Sequence, residues 1–205
     1  MLMSLWLASA PLVLASKSFA RRTMLGAAGI PVEIMPASID ERAVEQAAGG
    51  NPGPDEVALL LAREKALAVS RQSPARLVVG ADQTLAMGTT RFTKPANIDE
   101  AREQLQTLRG KTHALHSAVT LVQGGEVLFQ VVDTAHLHVR DFSDRFLEVY
   151  LEAAGPAVSE SVGGYQLEKL GIHLFDRVEG DHFTILGMPL LPLLDFLRSR
   201  AILAK

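Results

Sequence analysis

The chain has 205 residues, 48% of them hydrophobic and 21% charged, enough for one domain, or one domain in two lobes, with a core that needs no cross-link. It contains no cysteine, which excludes disulfides, thiolate nucleophiles and cysteine–zinc sites and favours a reducing compartment, the cytoplasm. A formal net charge of −3 gives no general attraction to nucleic acid, and the one basic concentration, Lys17, Arg21 and Arg22, suits a nucleotide better than a duplex.

The chain opens on an apolar run, MLMSLWLASAPLVLA, with no Lys or Arg before it and Pro11 dividing it. A secretory signal starts with a basic segment, so residues 1–11 read as a short leader and residues 11–15 as a buried strand. No other stretch approaches the ~20 apolar residues of a membrane span. Ser18 can cap a helix running to residue 28, and Gly29 with Pro31 ends it; residues 32–35 form a second strand. Residues 47–54 (AAGGNPGP) read as a loop, 55–71 as a long helix, and 76–79 as a buried strand that ends at Gly80-Ala81-Asp82. Asn97 and Glu100 have capping-box spacing for a helix reaching residue 108. Residues 113–122, a Gly124-Gly125 turn and residues 126–140 predict a long hairpin. A helix over 143–152, a strand over 172–178 and a helix over 190–200 complete the chain. This alternation describes a single α/β domain.

Four segments carry candidate chemistry. Ser16-Lys17-Ser18 lies between a strand and a helix, where free N–H groups and the helix dipole attract anions; Arg21 sits one turn further on. The competing reading is an ordinary N-cap followed by solvated arginines. Lys65 shares an apolar stripe with Val57, Leu61 and Ala68, so its amine either reaches outward or enters a cleft. Asp82 follows a buried strand, where α/β proteins place catalytic groups, although an Asp capping the next turn is as common. Lys94-Pro95 adds an amine suited to phosphate. Glu41, from the Ile39-Asp40-Glu41 segment, could join Asp82 on one hard divalent ion, or be a surface acid. The six histidines do not space a zinc set.

The order of these blocks resembles the Maf family: LVLASKSFARRTML, IDE, LAREKA, VVGADQT, TKP, EAREQLQTLRGKTH, GGYQLEKLG and ILGMPLLPL, spanning about residues 12–197. The resemblance implies a mixed, curved sheet flanked by helices, with two lobes around a central nucleotide cleft, as in Maf and ITPase-like proteins, commonly as a homodimer. It implies a pyrophosphatase that converts a nucleoside triphosphate to the monophosphate and pyrophosphate, cleansing the nucleotide pool with a divalent cation, magnesium or manganese. Ser18, Arg21, Lys65 and Lys94 would match the triphosphate-binding residues, Glu41 an acid of the metal and phosphate site, and Asp82 the proton acceptor that activates water. The alternative is a non-catalytic nucleotide-binding regulator of septum formation.

Maf types differ at three positions. One type, linked to dTTP and UTP, has Arg, Thr and Gln; the other, linked to 7-methyl-GTP, has an aromatic residue, Gln and Glu. This chain has Ala20, Gln83 and Glu168 there, two of three matching the 7-methyl-GTP type. It departs from the family pattern at Phe19, where Pro is usual, and at Lys169, where Gly is usual.

Overall fold

The computed structural model describes residues 5–205. Of the segment read as a leader, residues 1–4 lie outside the described residues. From Leu5 onward the chain belongs to the fold: Trp6 is buried and bridges antiparallel to Leu203.

Strand β1 (Leu12–Leu14) is wholly buried, as its unbroken apolar run requires of a strand covered on both faces. Helix α1 (Phe19–Ala27) starts where Ser18 Oγ accepts from Arg21 N. Strand β2 (Val32–Ile34) pairs parallel with β1. Helix α2 (Glu41–Ala48) was not expected from the sequence. It is only eight residues long and buries none of them, its apolar side being Ala43, Val44, Ala47 and Ala48; Asp40 starts it by accepting from Ala43 N. Helix α3 (Pro54–Ser70) follows, then strand β3 (Val78–Met87) with its short antiparallel partner β4 (Thr90–Phe92). Helix α4 (Ile98–Leu108) starts as its Asn97 signal predicts, the side chain accepting from Asp99 N and Glu100 N. The hairpin β5 (Thr112–Gln123) and β6 (Glu126–Val139) is the longest pairing in the sheet. After α5 (Asp144–Ala154) come short 3-10 turns, strand β7 (Phe175–Glu179), α6 (His182–Ile185) and α7 (Leu190–Ser199). The last strand therefore begins three residues later than predicted, because residues 170–174 coil into a 3-10 turn.

The sheet order is β2-β1-β3-β5-β6-β7, with β4 also on β3. Pairings β1–β2 and β1–β3 are parallel and the rest antiparallel, so the sheet is mixed. Two large cores form on it, with two smaller apolar clusters under α3. One gathers Leu12, Leu14, Leu25, Val79, Leu121, Leu193 and Leu197 around β1, α1 and α7. The other gathers Leu85, Leu105, Leu108, Leu137, Phe142 and Leu147 around α4, α5 and the far ends of the long strands. These are the two lobes, and β3, β5 and β6 run through both.

Strand β3 extends well past the point where the sequence suggests it stops. On one edge β5 accompanies it throughout. On the other edge β1 pairs only with Val78 and Val79, and β4 only from Leu85 onward. Residues 80–84 consequently have no strand neighbour on that side, and the sheet has a notch between the lobes. Asp82 lies inside this strand, at the notch, rather than at its end.

Gly80 sets how α3 meets the notch. A Cβ there would stand 2.1 Å from Ala62 O and 2.8 Å from Ala66 N, both helix backbone, so only glycine lets α3 lie this close. Gly80→Ala is expected to cost about 1–3 kcal/mol by overpacking, or roughly 2–12 °C in Tm at this chain length. Calorimetry checks it; an unchanged Tm would refute the close packing.

In the second core His113 is buried, with Nε2 2.6 Å from Tyr165 Oη and no partner for Nδ1. Burial lowers its pKa from 6.5 to about 4, helped by His136 and His138. The folded state thus holds this ring neutral. Its contribution is complete above the unfolded value of 6.5 and is lost as pH falls toward 4, about 3 kcal/mol at 1.36 kcal/mol per unit. Urea titrations at pH 7 and pH 4 should show wild type losing about that much more stability than His113→Gln.

Candidate active site

A cleft of about 1580 Å³ opens at the notch, lined from both lobes. Ser18, Ala20, Arg21, Glu41, Lys65, Asp82, Gln83, Lys94 and Glu168 all line it, so every site residue expected from the sequence falls on one cavity. These residues arrive from distant segments, which is what a site built on α/β loops and strand interiors needs.

At its floor, α3 and β3 bring opposite charges together. Lys65 Nζ lies 2.5 Å from Asp82 Oδ1 and 2.7 Å from Glu41 Oε1. Lys65 and Asp82 are each 13% exposed at the side chain, whereas Glu41 is 51% exposed. Lysine 65 therefore points into the cleft and does not reach outward. Burial raises the Asp82 pKa above its ordinary value, against the opposing pull of Lys65 and Arg21. A carboxyl so placed gains basicity for a proton transfer.

Arg21 reaches the same region from α1. Its Nε donates to Gly187 O at 2.8 Å, and one terminal nitrogen donates to Ala81 O at 2.8 Å and Ser16 Oγ at 3.2 Å. Ala81 is in the notch, so the guanidinium takes up a carbonyl that no strand pairs. The other terminal nitrogen keeps its donors for an anion. Burial draws the Arg21 pKa down, while Asp82 and Glu41 draw it up; a guanidinium stays charged throughout the working range. The sequence suggested Arg21 but missed its three anchors, Ser16, Ala81 and Gly187. Only the spacing of Ser16 from the helix start hinted at the first; nothing local hinted at a partner 166 positions away.

Ser18 is the N-cap of α1, its Oγ accepting from Arg21 N at 3.4 Å. Capping and cleft lining coincide at this residue. Lys94 is exposed on the cleft wall and makes no ion pair with any described residue, leaving its amine for a ligand. Arg91 and Arg42 also line the wall and went unnoticed in the sequence; Arg91 pairs with Glu45 at 2.5 Å. Glu168 is exposed on the loop between two 3-10 turns. Phe19, 76% exposed, lines the cleft beside Ala20.

By class, then, this is a mixed-sheet α/β protein whose lobes close cationic and carboxylate side chains around room for a small polyanion. The chain belongs to the Maf-like protein family: the family profile matches residues 11–200. It is 54% identical, over 98% of its length and 100% of the relative's, to the nucleoside triphosphate pyrophosphatase of Rhodopseudomonas palustris strain BisB18. It is 48% identical, over 92% of its length and 95% of the relative's, to the 7-methyl-GTP pyrophosphatase of Rhizobium meliloti. Among solved structures, a HAM1 protein from Coxiella burnetii aligns over 64% of this chain and 74% of its own at 12% identity, with a TM-score of 0.44. No helix of the described residues is long and apolar enough to cross a membrane.

Proposed function

We propose that the cleft hydrolyses the α–β phosphate bond of a nucleoside triphosphate, releasing the monophosphate and pyrophosphate, with 7-methyl-GTP the preferred substrate. The observation that carries this reading is the buried Asp82 held by Lys65, beside Arg21. Asp82 orients a water and takes its proton as the water oxygen attacks the α-phosphorus and the bond to pyrophosphate breaks. Lys65, Arg21 and Lys94 neutralise the charge that grows on the leaving pyrophosphate. A pure nucleotide binder has no use for a buried carboxylate of raised basicity, which argues against a regulator without turnover.

The carboxylates fit a divalent ion. Glu41 and Asp82 both contact the Lys65 ammonium, so the two carboxylates face the same part of the cleft floor. Two hard oxygen donors completed by phosphate oxygens suit magnesium or manganese. When bound, such an ion supplies further charge neutralisation at the phosphates.

Gln83 and Glu168 support the base assignment: a guanine edge brings an N1–H and an N2 amine, and uracil or thymine only one N–H. Family membership supports a homodimer, which sedimentation velocity would check, and the absence of cysteine supports a cytoplasmic location. The deciding experiment incubates the protein and magnesium with 7-methyl-GTP, GTP, dTTP and UTP and scores monophosphate plus pyrophosphate. Nucleotide bound without pyrophosphate would overturn the catalytic reading. Equal hydrolysis of dTTP and 7-methyl-GTP would overturn the base assignment alone.

A further inference from the structure

Alternation along β3 puts Asp82 and its neighbour Gln83 on opposite faces of the sheet. Asp82 meets α3, and Gln83 meets α6. The notch lets both line the cleft. The surroundings of the Gln83 amide are unusual in consisting only of acceptors. Gln83 Nε2 lies 2.9 Å from Ser117 Oγ, 3.1 Å from Thr184 O and 3.0 Å from Ile185 O. Ser117 Oγ spends its own hydrogen on Thr184 O at 2.6 Å, so toward Gln83 it can only accept. Ser117 and Thr184 are fully buried. Turning the amide over would set its oxygen against two carbonyl oxygens and this hydroxyl oxygen, which the burial forbids.

The acceptors are themselves fixed. Thr184 Oγ1 donates to Asp133 Oδ2 at 2.7 Å, and Asp133 Oδ1 accepts from Thr134 N at 2.9 Å. Asp181 caps α6, its Oδ1 accepting from Phe183 N and Thr184 N. The segment that grips Gln83 thus cannot drift away from β5 and β6.

We propose that Ser117, Thr184 and Asp133 lock the Gln83 amide in one orientation, so that it offers the cleft a carbonyl acceptor and the cleft selects a nucleobase bearing N–H donors. This rests on the nucleotide reading of the cleft and adds to it three positioning residues and a reason for donor-rich bases. Both amide hydrogens are consumed inside the protein. A uracil edge, with its single N–H between two carbonyl oxygens, would therefore set an oxygen against either the Gln83 oxygen or a second acceptor. Glu168, also acceptor-only when ionised, works in the same sense from the opposite lobe.

Two measurements test this independently. In the free protein, the Gln83 side-chain amide resonances, assigned by their loss in Gln83→Ala, should exchange with deuterium at least tenfold more slowly than those of the exposed Gln46. Exchange as fast as Gln46 would overturn the lock whatever the substrate. In turnover, Ser117→Ala and Thr184→Val should lower the kcat/KM ratio of 7-methyl-GTP to UTP at least fivefold, chiefly through KM for 7-methyl-GTP. Equal losses on both nucleotides, the mark of a merely structural role, or an unmoved ratio would overturn it. Should wild type hydrolyse no nucleotide, the catalytic reading fails, and the exchange measurement alone still decides the lock.

Discussion

Asp82→Asn is expected to lower kcat by about 10²–10⁴-fold, the usual effect of losing a general base, while leaving the protein folded. Stability provides the internal control. Burial raises the folded pKa of Asp82 above the unfolded value of 3.8. Below 3.8 the group is neutral in both states; as pH rises through the folded value, the ionised form is disfavoured by the fold. Asn carries no charge to desolvate, so Tm at neutral pH should not fall appreciably even though the Lys65 hydrogen bond is weakened. In wild type kcat/KM should drop as pH falls through the raised Asp82 pKa, and in the variant that acid limb should vanish. A variant within tenfold of wild type would defeat the assignment of Asp82 as base.

Lys65→Met produces the second large effect, and of a different kind. Lys65 holds the Asp82 carboxylate down by charge and by hydrogen bond, against burial and against Glu41. Without it the Asp82 pKa climbs further, and the acid limb of kcat/KM should move to higher pH. At neutral pH the combined loss of base and phosphate contact is expected to reach about 10²–10³-fold, comparable to removing one transition-state donor. Leaving a buried carboxylate unpaired costs roughly 3 kcal/mol, hence about 6–12 °C in Tm. Calorimetry and a pH–rate profile together check it. A limb that stays where wild type has it would show that the ammonium does not tune the carboxylate.

The elements that were legible in the sequence are those with strong local signals. Asn97 and Ser143 cap α4 and α5 as their residue types suggest, and Gly124-Gly125 turns the long hairpin. What escaped was what tertiary contact decides. Helix α2 is short, and its apolar side is mostly alanine and buries nothing, so its local signal is weak. Strand β3 continues past Asp82 because β5 pairs with it as far as Ala86, a partner that a local reading of Gly80-Ala81-Asp82 does not include. The order of short blocks names the site residues, but their contacts needed coordinates. Arg21 was read as aiming at an anion and is found also bracing Gly187, Ala81 and Ser16. Gln83 stands out in the sequence as one of the positions that separate the family's base types, and the acceptors around its amide come from β5 and α6, 34 and 101 positions away.

The notch in β3 has a consequence for how such an enzyme can vary. In the proposed mechanism water activation and base choice fall to consecutive positions of one strand, distinguished only by which side of the pleat each occupies. Inserting or deleting a single residue upstream of Asp82 would move both side chains to the other side of the pleat, taking the carboxylate away from Lys65 and the amide away from the carbonyls of α6. Loops on either lobe can lengthen without such damage. At this point of the chain substrate preference can change only residue for residue, never by a change of length.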